Sequence, residues 1–226
     1  MTVPGFFDIK CAVCGAISEQ NVLISTNTMG PPDLDFRPAL MARSTLSLQI
    51  QCCPKCGYCS KNIETSTPHA ADIITKPDYK SLLRDKTIPL LARKYLCWAK
   101  IAEEEGDYIS SFNAALDAAW VCDDEENLNG MIDSRKYAAY LIKKIHTKGL
   151  SLSYEKGIDE LVLSDILRRI GNFEDAQRVI KSGQKNTTDS LLLKALFFEN
   201  DLCEKRVIQC YSFESIDNEG RWEDSQ

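Results

Sequence analysis

Cys11-Ala12-Val13-Cys14-Gly15 and Cys53-Pro54-Lys55-Cys56-Gly57 spell the same Cys-x-x-Cys-Gly turn twice before residue 60. A thiolate pair at this spacing curls around one ion, the glycine allows the tight turn, and two such turns supply the four sulfurs of a closed tetrahedral shell. The repeat predicts one structural zinc ion held by Cys11, Cys14, Cys53 and Cys56, closing a loop over residues 15–52. A closed four-cysteine site keeps no position open for water or substrate, so it points to architecture over catalysis. The second half can also be read as Cys56 with Cys59, but Gly57 then falls inside the pair instead of after it. Four thiolates on a divalent ion leave a surplus of negative charge, which Lys10, Lys55 and backbone N–H groups aimed at sulfur are placed to offset.

A chain of 226 residues can bury a proper core as one large domain or two modest ones. Ten cysteines would suit a disulfide framework in a small secreted domain, but here no basic start followed by an apolar core marks an export signal. The thiols are therefore expected to stay reduced in a soluble, cytoplasmic protein. No apolar run approaches the ~18 residues that a membrane span requires. The formal net charge of −6 opposes general affinity for phosphate backbones and anionic membranes. Over residues 1–70 the charges balance, with Lys10, Arg37, Arg43, Lys55 and Lys61 against Asp8, Glu19, Asp33, Asp35 and Glu64.

Composition changes near residue 70. Before it, Thr45 to Gln51 alternates polar and apolar with period two and runs into the second Cys pair, which predicts a strand. Asn21 to Ser25 is its candidate partner, and each Cys pair is expected at the tip of a strand–turn unit. Beyond residue 80 the period becomes helical. Leu91, Tyr95, Trp98, Ala99 and Ala102 form one stripe, Gly106-Asp107 interrupts, and Tyr108, Phe112, Ala115, Leu116, Ala119 and Cys122 form the next. Gly106 is placed for a left-handed helix end and Asp107 for an N-cap. The grammar recurs with Leu163, Ile166, Leu167 and Ile170, a break at Gly171-Asn172, then Phe173, Ala176 and Ile180 until Ser182-Gly183. Ser111 and Ala176 are matching small residues that let paired helices approach closely. Gly106 and Gly171 lie 65 positions apart, close to twice the ~34-residue tetratricopeptide period. Ala138, Leu141, Ile142 and Ile145 supply a degenerate helix between them, and Leu191 to Phe198 a terminal one. The expected class is α+β: a zinc-ribbon-like β domain over 1–70, an all-α tetratricopeptide-like helical-hairpin domain over 71–210, and an acidic tail over 211–226 that frays despite Trp222.

The two knuckles, the Asp-Leu-Asp-Phe-Arg-Pro segment at 33–38 and the Leu-Arg-Arg-Ile-Gly-Asn-Phe-Glu-Asp-Ala run at 167–176 resemble the bacterial family catalogued as domain of unknown function 2225. The resemblance covers most of the chain. It implies a bacterial intracellular protein with a zinc-binding head and a repeat-like helical body, and no established activity. Cys59, where the family carries a small residue such as alanine, and the neighbouring Cys52 depart from its pattern.

Three classes of function follow. The leading one is a non-enzymatic interaction protein whose helical repeats present a groove to a protein partner, the zinc ribbon serving as buttress or second contact. The second is nucleic-acid binding through the ribbon, against which the charge argues. The third is a thiol or hydrolytic enzyme or redox sensor, with Cys52 and Cys59 as reactive thiols or a Cys-His nucleophile using His69 or His146. Neither histidine lies in a catalytic or metal motif, so both are expected at the surface or in packing roles. Asp33 and Asp35 suit a turn held by side-chain hydrogen bonds and Arg37. Tyr95 and Trp98 are expected in the core, and Lys143, Lys144 and Lys148 on a solvated face.

Overall fold

The computed structural model describes residues 1–218. It opens with strands β1 (Val3–Lys10), β2 (Ile17–Ser25), β3 (Thr28–Met29) and β4 (Leu40–Met41), then a 3-10 helix (Ala42–Leu48), β5 (Gln51–Cys52) and β6 (Cys59–Ser60). Helices α1 (Ala70–Ile73), α2 (Pro77–Arg84), α3 (Leu90–Glu104), α4 (Tyr108–Asp124) and α5 (Leu128–Thr147) follow. The chain continues through α6 (Ile158–Arg169), α7 (Phe173–Asn186), α8 (Ser190–Glu204) and the short α9 (Glu214–Asn218). The class is mixed α+β, with strands confined to small antiparallel pairs. Two compact units form: Met1–Asn27 with Met41–Leu141, and Thr28–Leu40 with the chain from Ile142 onward. This partition does not follow the composition break near residue 70, because residues on both sides of that break share one core in the first unit.

In that unit β1 pairs antiparallel with β2 from Pro4↔Leu23 to Lys10↔Ile17, and β5 pairs with β6 through Gln51↔Ser60 and Cys52↔Cys59. Each Cys-x-x-Cys-Gly run occupies the turn of one hairpin. Asn21–Ser25 is therefore a strand, but its partner is β1. Pro4 and Gly5 lower the strand propensity of that first segment and hide it from a pattern reading. The strand expected over 45–51 is a correction too: only Gln51 belongs to a ladder, and Thr45 and Leu46 lie in the 3-10 helix. Thr45 Oγ1 donates to the Ala42 carbonyl (2.7 Å) and accepts from Gln49 Nε2 (2.7 Å), local bonds that compete with strand pairing. Tyr95 Oη then takes the Leu46 carbonyl at 2.7 Å.

The core beneath the hairpins joins Ile9, Tyr58 and Ile63 to Ile73 of α1, Tyr79 of α2, and Cys97 and Ile101 of α3. Helix α3 ends as the stripe predicts. Gly106 sits at φ 83°, its N–H donates to the Glu103 carbonyl, and the Asp107 N–H reaches back to Ala102 at 2.8 Å. Asp107 Oδ1 accepts the Ser110 N–H at 3.0 Å and starts α4. Ser111 is fully buried and donates to the Ala99 carbonyl at 2.8 Å, so its small side chain sets the α3–α4 approach.

The second unit repeats this grammar. Gly171 at φ 80°, with the Asn172 N–H bonded to the Leu167 carbonyl at 2.9 Å, separates α6 from α7, and Asn172 caps α7. Gly183 does not end α7 as expected. It lies inside the helix, buried, where an added Cβ would stand 2.8 Å from Glu160 Cβ and 3.0 Å from Leu196 Cδ1. Close packing, not chain reversal, is the reason for that glycine. The 28–40 loop folds onto the C-terminal strip: the Leu34 N–H donates to the Tyr211 carbonyl, the Phe213 N–H to that of Pro32, and Phe36 packs on Phe213. The fraying expected from Tyr211 thus gives way to paired backbone followed by α9. Residues 219–226 of the expected tail, Trp222 among them, lie outside the described residues.

Candidate metal centre

The two Cys-x-x-Cys-Gly turns fold alike. The Cys11 N–H donates to the Ala16 carbonyl and the Cys53 N–H to that of Tyr58, both at 2.9 Å. Gly15 and Gly57 return to the Cys11 and Cys53 carbonyls at 2.8 and 2.9 Å, at φ 69° and 79°, where a side chain would strain the backbone. This closure turns backbone N–H groups onto sulfur: those of Cys14 and Val13 onto Cys11, that of Ala16 onto Cys14, and that of Tyr58 onto Cys56. Ile63 ties the turns together. Its carbonyl accepts the Ala12 N–H at 2.8 Å, and its own N–H donates to Gln51 Oε1 at 2.9 Å.

The four thiols that the spacing singles out come together. Their sulfurs all lie within 4.8 Å of one another, with Cys11 to Cys56 at 3.7 Å and Cys14 to Cys53 at 3.5 Å across the two tips. A tetrahedron with metal–sulfur bonds of ~2.3 Å has edges of ~3.8 Å, close to these two cross-tip distances, so the four sulfurs could hold one zinc ion. The first cysteine of each turn is buried and the second half-exposed. Burial pushes the Cys11 and Cys56 thiols above their ordinary range, while the Ala16 N–H draws Cys14 down to about 7. Four thiols so close cannot all ionise by themselves; a divalent charge in their midst reverses that preference and expels protons. A shell of four sulfurs can hold an ion and shape a loop, and it offers no site for a substrate.

Cys59 lies outside the four. It faces Cys52 across the β5–β6 pair, with the sulfurs 2.7 Å apart, and burial raises its thiol well above the ordinary value. Cys52 shifts down, chiefly through its contact with Cys59. His69 is exposed and binds Glu105 through Nδ1 (3.1 Å) and its N–H (2.7 Å), and His146 Nε2 meets Asp159 at 2.7 Å. Neither histidine is within the sulfur cluster. Asp35 Oδ1 accepts the Arg37 N–H at 3.2 Å, and its Oδ2 is 3.5 Å from Arg169. Asp33 Oδ2 accepts from the Cys210 thiol at 3.1 Å. Tyr95 is buried and Trp98 packs on the core edge, whereas Lys10, Lys55, Lys143 and Lys148 are exposed and Lys144 partly so.

Sequence reasoning missed a second polar centre. Arg168, fully buried on α6, donates to both oxygens of Glu199 (2.7 and 3.2 Å), to Asp165 (2.6 Å), and to the carbonyls of Val207 and Gln209. Loss of hydration and the neighbouring Asp165 push Glu199 up to about 8, outweighing the pull of Arg168. The signal available was an arginine pair, Arg168-Arg169, interrupting an apolar helix. Its nearest reading is a clamp that fixes the 207–209 segment to α6.

No helix among the described residues is long and apolar enough to cross a membrane. Comparison with protein-family models, with curated proteins and with solved structures gives no match for this chain.

Proposed function

We propose that this protein is a non-enzymatic interaction module of the family it resembles, in which one structural zinc ion on Cys11, Cys14, Cys53 and Cys56 staples a zinc-ribbon-like head and tetratricopeptide-like hairpins present a groove to a protein partner. The observation that carries the metal half is the four-sulfur cluster, whose cross-tip distances of 3.7 and 3.5 Å are close to the ~3.8 Å edge of a closed zinc shell. The helix pairs α3–α4 and α6–α7, divided by the same glycine-and-cap grammar, support the repeat reading. A second contact through the head is supported by the β1–β2 ribbon, which leaves Phe6, Phe7, Ile17 and Ile24 between 51% and 69% exposed.

Metal analysis of the purified protein tests the first half: one zinc per chain is expected, and Cys53→Ser or Cys14→Ser should abolish it. A full zinc complement in both variants would refute the ligand set. For the partner, a protein captured by the wild-type chain from its native host should be lost with Phe6→Ser/Phe7→Ser while zinc is retained. Salt-dependent retention of an oligonucleotide would instead favour the ribbon as a nucleic-acid reader.

A further inference from the structure

Beside the four-thiol cluster lies a second pair that it does not use. Cys52 and Cys59 are directly opposed in the β5–β6 ladder. The Cys52 N–H donates to Gln20 Oε1 and its carbonyl accepts from Gln20 Nε2, both at 3.3 Å, while the Cys59 N–H donates to Tyr79 Oη at 3.3 Å. The amides of both residues thus point away from the partner strand, which marks a non-hydrogen-bonded pair, the antiparallel position with the closest side chains, at Cα separations of ~4.5 Å. That separation lies inside the range a disulfide spans. The sulfurs already stand 2.7 Å apart. Cys59 is sealed at 0% exposure, whereas Cys52 is half-exposed, so an external reagent meets Cys52 first.

We propose that Cys52 and Cys59 form a reversible dithiol–disulfide couple that exchanges with small disulfides of the glutathione class. The Cys52 sulfur attacks one sulfur of the small disulfide, forming a mixed disulfide and releasing one thiolate, which takes up the Cys52 proton. The Cys59 sulfur, giving up its proton, then attacks the Cys52 sulfur and expels the second thiol. Two protein thiols lose two hydrogens and two electrons, and one small disulfide becomes two thiols. Cys52 is the entry point and Cys59 the resolving group. The third thiol near Cys59, Cys97 on α3, is fully buried and lacks the facing register.

The test equilibrates the full-length protein with reduced and oxidised glutathione at graded ratios, followed by acid quench, alkylation and tandem mass spectrometry. The expected product is a Cys52–Cys59 bond that disappears again in excess reduced glutathione and persists in Cys97→Ser. Cys59→Ser should trap glutathione on Cys52; should that buried substitution unfold the chain, Cys52→Ser, with its circular dichroism unchanged, should form no bond at Cys59. A folded protein with no Cys52–Cys59 bond at any ratio overturns the proposal, as does a bond from Cys59 to Cys97 or to any of Cys11, Cys14, Cys53 and Cys56. Because the readout is a bond between two named residues, it stands or falls separately from metal content.

Discussion

Gly106 has open space where a side chain would project, with nothing within 4 Å, so its only constraint is φ 83°. Gly106→Ala is therefore expected to destabilise the protein by ~1–2 kcal/mol, the cost of a Cβ in the left-handed region, and urea unfolding with an unchanged m-value is the measurement. The converse substitution tests the same physics. Glu126, exposed and at φ 53°, ends α4 with the bond pattern seen at Gly106, the Asn127 N–H returning to the Cys122 carbonyl at 2.8 Å. Glu126→Gly should stabilise by roughly 1 kcal/mol in the same assay; no gain would show that strain is absent there. Arg206, at φ 54°, should gain less from glycine because its guanidinium covers the Phe173 ring at 4.8 Å. Helix ends were legible where glycine marked them and invisible where Glu126 and Arg206 do the same work.

At the scale of elements, the α3–α4 pair depends on the absence of bulk at Ser111. Ser111→Leu would force a branched side chain against Ala99 and should cost ~1–3 kcal/mol through overpacking, whereas Ser111→Ala, which loses one hydrogen bond, should cost ~1 kcal/mol or less. Thermal denaturation of the two variants separates these outcomes, and equal effects would mean that the hydroxyl, not the volume, matters. The helical stripes could be read from sequence because each has a period set by local geometry. The alternation over 45–51 misleads because Thr45 and the Gln49 N–H take nearby carbonyls and the distant Tyr95 takes that of Leu46, which leaves this backbone no need of a partner strand. Likewise β2 found its partner in β1, and Gln20 completes the edge with its side-chain amide on Cys52.

Across the whole molecule, the two units should respond to different stresses. Metal removal with a strong chelator is expected to raise hydrogen exchange over 3–25 and 51–60, and in α2 and α3, whose Tyr79, Cys97 and Ile101 share the hairpin core. A structural ion contributes on the order of 10 kcal/mol, so the effect should be large, while α6 to α8 stay protected. Equal exchange throughout would remove the ion from the folding argument. The second unit should instead respond to pH. Glu199 titrates near 4.5 in an unfolded chain but near 8 when folded, so the folded state keeps a proton that the unfolded state gives up. Its stabilisation is complete below about pH 4.5 and is lost as pH rises through about 8. Wild-type unfolding midpoints should fall between about pH 5 and 8 more steeply than those of Glu199→Gln; parallel curves would refute the assignment.

The sequence by itself determined the two cysteine turns, because Cys-x-x-Cys-Gly closes through bonds between residues at most five apart, and it determined the helices whose caps and glycines are local too. The place of Gly57 already favoured Cys53 with Cys56 in the second turn, but tertiary structure alone set Cys59 against Cys52 and joined residues 28–40 to the unit built from 142 onward. It alone assembled Asp165, Arg168 and Glu199. Those outcomes rest on contacts between distant segments, where burial and charge are shared among partners that no spacing along the chain records.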